Sequence, residues 1–153
     1  MRKNMHDIFQ LAIESHKSGR LQDAEQLYKS VLAEEPKHSD ANHNLGVLLG
    51  SVGYLSNALP HLRAALDQDP TVNQFWLSYI DALIKVGSFE KAREAICDGR
   101  QAGVPDKSLS ALTLALDSAS SGNTLLKKHK SSPAEKNKRP SDAKKNKRKK
   151  RRD

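Results

Sequence analysis

The stretch S-D-A-N-H-N-L-G-V-L-L-G-S-V-G-Y-L-S-N-A-L-P-H-L-R-A-A-L-D-Q-D-P, Ser39 to Pro70, decides the fold, because its pattern recurs on either side at one fixed step. Ala24, Ala58 and Ala92 are spaced by 34 residues, and so are Gly19, Gly53 and Gly87. Leu21, Leu55 and Phe89 keep the same step, as do Leu11, Leu45 and Tyr79. Pro36 and Pro70 follow it too, while Pro105 falls one residue late. A period of this length, with Gly between two helical patterns and Pro closing each unit, predicts a helix-turn-helix repeat. One shared Gly or Ala would carry no weight; several registers held together over three units do.

Within each unit apolar residues recur at three- and four-residue spacing, which stacks them on one face of a helix. Residues 5 to 17 read as a first helix, with Ile8, Leu11, Ala12 and Ser15 on one side. Gly19 breaks it, and Leu21 to about Glu34 form an antiparallel mate through Ala24, Leu27, Tyr28, Val31 and Leu32. The second unit supplies Leu45, Gly46, Leu48 and Leu49, then Leu55, Ala58, Leu59, Leu62, Ala65 and Leu66. The third runs from Asn73 to Val86 and from Phe89 to about Ala102, with Trp76, Tyr79, Ile80 and Leu83 as its first buried stripe. Ala24 is small where two helices cross, and Gly46 permits a close approach despite a cost of about 1 kcal/mol relative to Ala. Pro36 has no amide proton and stops its helix. Pro60 is expected in the first turn of a helix starting near Leu55, where amides lack partners anyway.

These residues resemble the tetratricopeptide repeat (TPR) family. The fullest match is Asn42 to Pro70; the first unit matches at Ile8, Leu11, Ala12, Gly19, Ala24, Tyr28 and Pro36, and the third at Trp76, Tyr79, Gly87, Ala92 and Ile96. Ala12 and Ile80 depart from the small Gly of the first helix, and Gly99 and Arg100 interrupt an apolar stripe. The resemblance implies an all-α, right-handed α-solenoid, a TPR superhelix of three helix-turn-helix repeats over 5–38, 39–72 and 73–106. Asp106-Lys107-Ser108 offers helix-start chemistry before Leu109, Leu112, Leu116 and Ala119. Residues 107–120 are therefore read as a capping helix over the bare face of the last repeat, ended by Ser120-Ser121-Gly122-Asn123. The TPR domain would occupy 5–122, and 123–153 a disordered Lys/Arg-rich tail that buries too little surface to offset its ordering entropy.

The formal charge of +8 belongs to that tail. Residues 127–153 hold 14 Lys and Arg against Glu135, Asp142 and Asp153, which leaves the body mildly acidic at −3. A single cysteine, Cys97, excludes an intrachain disulfide and suits a reducing compartment; it is expected to be packed. Met1-Arg2-Lys3 is not followed by an apolar run, and no stretch approaches the roughly 20 apolar residues of a membrane span. A cytoplasmic location is expected.

The sequence contains no Gly-rich phosphate loop, no Cys or His pair at metal-ligand spacing and no nucleophile motif, so neither a metal, a cofactor nor catalysis is expected. The six histidines are scattered and read as solvated surface. What remains is a binding surface. The resemblance places the first helices of successive units along a concave face, with His6, Gln10 and Lys17 from the first, His43 and Asn44 from the second, and Gln74, Ser78, Asp81 and Lys85 from the third as partner-binding candidates. Phe9, Ile13, Asp40, Val47 and Leu77 are expected to point the same way. Asn44 stands where related repeats grip peptide backbone with an asparagine ladder, and Gln10 and Ser78 occupy the equivalent places. The expected function is a protein-protein interaction scaffold for a peptide or protein partner. The third repeat also resembles N-terminal repeats of bacterial glycosyltransferase- or sulfotransferase-type proteins, which makes an accessory region of such a protein the alternative. A further alternative is electrostatic: Lys144, Lys145, Lys147, Arg148, Lys149, Lys150, Arg151 and Arg152 suit nonspecific contact with nucleic acid or an acidic surface, without aromatic side chains to stack on bases.

Overall fold

In the computed structural model, which describes residues 4–129, the described residues form seven α-helices and no strand. They are α1 (Met5–Lys17), α2 (Leu21–Glu34), α3 (Ser39–Ser51), α4 (Leu55–Gln68), α5 (Asn73–Lys85), α6 (Phe89–Gln101) and α7 (Asp106–His129). The first helices of the three pairs start 34 residues apart, and so do the second helices. No described helix is long and apolar enough to cross a membrane.

Two kinds of helix end alternate. At the ends of α1, α3 and α5 a glycine adopts positive φ: 77° at Gly19, 89° at Gly53 and 77° at Gly87. The amides beyond it fold back, Arg20 N onto Ser15 O, Tyr54 N onto Leu49 O and Ser88 N onto Leu83 O, each at 2.9 Å. This Schellman geometry satisfies the last helical carbonyls and turns the chain sharply into its partner helix. The ends of α2 and α4 instead pass through Glu35 (φ −124°, ψ 81°) and Asp69 (φ −141°, ψ 85°), neither helical nor left-handed, into Pro36 and Pro70. The end of α6 uses the glycine type again, at Gly103 with φ 95° and Val104 N on Gly99 O.

Ala24, Ala58 and Ala92 are all fully buried. Gly46 is the tightest crossing: a Cβ built there would lie 2.7 Å from Leu62 Cδ2 and Cγ. Gly99 has a different use, since its bare backbone lies against the Trp76 indole, 3.4 Å from a built Cβ.

Several sequence expectations are corrected. Pro60 lies beyond the first turn of α4. It removes the donor to the Ser56 carbonyl, which is tolerable because both residues are exposed to water. Phe9 is buried, its ring 6.2 Å from Tyr28 and 4.7 Å from the His38 imidazole. Cys97 is exposed, one residue round the helix from buried Ile96. The last helix begins at Asp106, directly after Pro105, and continues through His129 instead of stopping near residue 120, so residues 123–129 are helical rather than disordered tail. A lone Gly122 costs only about 1 kcal/mol in a helix, and the good helix formers Leu125, Leu126, Lys127 and Lys128 lie beyond it before the next proline. The remaining tail, with the basic run from Lys144 to Arg152, lies outside the described residues.

Candidate functional site: a groove on the concave side

The contacts between helices define which side is concave. α3 packs on α5, α5 on α7 and α1 on α3, whereas α2 and α4 do not meet, nor do α4 and α6. The first helices of the pairs therefore form the short, inner wall, and the second helices splay along the outer one.

Two clefts run side by side on that inner wall. One, of about 220 Å³, lies between α3 and α5; Gly46 and Gly50 leave its floor open to Leu55 and Leu62, and Ser78, Asp81 and Lys85 form its far wall. The other, of about 310 Å³, lies between α5 and α7, with Gln74, Leu77, Ser78 and Asp81 facing Ser108 and Leu112. Ser78 and Asp81 border both.

His43 ties the two inner helices together. Its Nε2 is 2.9 Å from Ser78 Oγ, and its ring lies 4.8 Å from the Phe75 ring. Gln74 Nε2 donates to the same Ser78 oxygen at 3.3 Å. Burial pushes the His43 pKa below its ordinary 6.5, with Asn44 and Asp40 partly opposing the shift. The Lys85 ammonium is paired with Asp81 at 2.6 Å, so the groove wall has no free cation at that point. An imidazole, a hydroxyl and an amide in one row can exchange hydrogen bonds with an extended backbone.

Of the nine candidates, the structure places Gln74, Ser78, Asp81 and Lys85 on the clefts and His43 in contact with Ser78. Asn44 is half-buried beside His43. His6, Gln10 and Lys17 are exposed on α1 and line neither cleft. Val47 is 38% exposed and lines the first cleft.

Four of the histidines, His16, His38, His43 and His61, are partly buried and partnered, whereas His6 is exposed as expected. His38 Nδ1 caps α3 by accepting from Ala41 N, His16 Nδ1 lies 3.4 Å from the Tyr28 hydroxyl, and His61 Nδ1 meets Asn42 Oδ1 at 3.0 Å. Among the described residues no group of three or more His, Cys, Asp and Glu is placed to hold a metal ion.

Sequence reading missed Asn42. It is buried, and its Nδ2 donates to Pro36 O at 2.9 Å, six residues back. One period later, Trp76 Nε1 donates to Pro70 O at 2.9 Å, also six residues back. Two unlike side chains thus bolt successive pairs to the proline carbonyl before them. The shared register was the available signal.

A stack of helix pairs with a grooved inner wall is the architecture of an α-solenoid repeat protein. Tetratricopeptide repeat protein 7A of Homo sapiens is 34% identical over 74 residues, 48% of this chain and 9% of that protein. Among solved structures, an O-GlcNAc transferase from Thermobaculum terrenum is 25% identical, covering 76% of this chain and 23% of that one, with a TM-score of 0.62. The TPR2B domain of yeast Sti1, solved as a complex with pHsp70, is 16% identical over 77% of this chain and 97% of its own, with a TM-score of 0.66. This chain therefore spans about a tenth of the human relative and under a quarter of the transferase chain. No protein-family model matches it. The chain has the tetratricopeptide-repeat fold and is similar in sequence to a tetratricopeptide repeat protein over about half its length.

Proposed function

We propose that the chain is a protein-interaction scaffold that holds an extended peptide segment of its partner along α3, α5 and α7 and itself catalyses nothing. The observation that carries this reading is the row Gln74–Ser78–Asp81, of which Ser78 and Asp81 border both inner clefts and Gln74 the one beside α7. It offers donors and acceptors at one-turn intervals, next to apolar surface at Val47, Leu77 and Leu112. The pHsp70 complex of the yeast Sti1 domain supports it by fold likeness. An overlapping-peptide array probed with the full chain tests it. Peptides that bind should lose about tenfold in affinity on combined Ser78→Ala and Asp81→Ala, the loss of roughly one net hydrogen bond. Because groove contacts are short-range, their affinity should change little with salt. Equal binding by the double variant would refute the groove.

A second reading rests on the likeness to the Thermobaculum terrenum transferase, the structural match with 25% identity over 76% of this chain. In it the repeats are the accessory region of a larger transferase-type protein and present substrates to it. A reading frame around this chain without a transferase region would remove that reading.

A further inference from the structure

The 34-residue step makes the gaps between repeats directly comparable. On the outer side of the first junction, His61 occupies the gap and bonds to Asn42. One period later the residue is Ala95, and the gap remains open as a cleft of about 280 Å³. Trp76 and Tyr79 are its aromatic lining, and Glu94 and Asp98 stand one turn apart on its α6 wall. The corresponding residues in the preceding unit are Pro60 and Ala64, so two carboxylates arrive where the imidazole plug is lost. Tyr79 already faces a cation, the Arg63 guanidinium 6.0 Å from the ring centre. That charge is held by Asp67 at 2.8 Å. With Lys91 also on the rim, the charges around the cleft are two positive and three negative. Glu94 and Asp98 form no ion pair among the described residues.

The geometry points to this cleft as the seat of a Lys- or Arg-bearing segment, and to residues 144–152 of the same chain as that segment. Aromatic faces attract ammonium and guanidinium groups, and the long methylene stems of Lys and Arg cover apolar surface while their heads reach carboxylates. Eight of the nine residues from Lys144 to Arg152 are Lys or Arg, and none is acidic. From Lys127 onward there is no large apolar side chain, which suits this charged outer cleft and not the apolar inner groove. The path is short: Arg93 of α6 bonds to Asp117 and Ser120 of α7, so the last helix runs past the wall that carries Glu94. Between His129 and Lys144 an extended chain spans up to about 50 Å, against about 20 Å for the whole of α6. Tethering supplies an effective concentration in the millimolar range, so contacts that are individually weak suffice.

The molecule carries its own probes. Cys97, its single cysteine, is exposed next to Asp98, and Trp76 is its single tryptophan. A nitroxide on Cys97 of the full chain should attenuate the amide signals of residues 144–152. The signals should recover in about 1 M salt, where charges are screened beyond about 3 Å. They should also recover in Glu94→Gln/Asp98→Asn and in Ala95→His, which rebuilds the plug, but not in the charge-matched control Glu34→Gln/Glu35→Gln. Trp76 emission should shift in the same variants and in a full-length chain with the eight basic residues changed to Gln. Unattenuated tail signals overturn the proposal, as does attenuation that survives Ala95→His with the helical spectrum intact, or one that Glu34→Gln/Glu35→Gln removes equally. Attenuation seen only between labelled and unlabelled copies would refute the same-chain contact and assign the cleft to a second molecule.

Discussion

The two junctions between repeats are built on one register and close differently. In the first, a buried amide, Asn42, reaches back to Pro36 O and sideways to His61, and polar atoms fill the gap. In the second, the Trp76 indole makes the same backward bond to Pro70 O but presents its face to Gly99. Ala95 leaves the space beside it open. A repeat period fixes where a junction residue stands, and only the residue pair decides whether the junction is sealed or becomes a recess.

The sharpest way to break this comparison is to remove both bolts. Trp76→Ala should cost about 3 kcal/mol, the low end for a large aromatic because the ring is half-buried. Asn42→Ala should cost about 1 to 3 kcal/mol, since it leaves the Pro36 carbonyl and His61 without that partner. Equal shifts in urea midpoint would mean that the hydrogen bond alone holds both junctions and the indole packing adds nothing.

Gly46 and Gly99 give a comparison of similar size within the pairs. Gly46→Ala should destabilise by about 1 to 3 kcal/mol, because the new methyl meets Leu62 at 2.7 Å. Gly99→Ala meets Trp76 at 3.4 Å, and the better helix propensity of Ala should bring the net change close to zero. Thermal melts of the two variants decide whether the glycines have separate roles.

A smaller effect is expected with pH. Burial lowers the pKa of His16, His43 and His61 below 6.5, so the folded state disfavours their protonated forms. The unfolded chain then binds more protons in that window, and stability should be full above about pH 6.5 and decline as pH falls through the lower folded pKa values. His61→Gln should flatten part of this slope, which melts between pH 7.5 and pH 5 would show. The smallest effect belongs to the Arg93–Asp117 pair, 3.3 Å long with both side chains about half exposed. Arg93→Ala should move stability by no more than about 1 kcal/mol.

The helix order, the alternation of glycine turns and proline breaks, and the small residues at crossings were legible because each repeats at the period. Ala24, Ala58 and Ala92 are fully buried, and Gly46 lies against Leu62. Features that join a residue to a partner on another helix or in a connecting segment were not legible. Phe9 looked outward by its helical position, yet Tyr28 and His38 enclose it. His61 looked solvated until Asn42 was found opposite it. For the groove, the sequence indicated α5 well and α1 poorly: the family resemblance names the helices of the inner wall but cannot tell that Gly46 and Gly50 open a cleft beside Ser78 and Asp81. The length of α7 escaped for a local reason, since Gly122 and Asn123 suggest a stop that a helix can absorb.

No helix in the described structure touches another more than two places along the chain. Its contact order is therefore low, and no loop must close over a long stretch of sequence before packing is rewarded, which favours folding in the microsecond-to-millisecond range. It also means that, among the described residues, no contact fastens one end of the solenoid to the other. Pulled by its termini, such a molecule yields by peeling helices off its ends in succession rather than rupturing at one clamp, and its middle pair, sandwiched on both sides, is the last to let go.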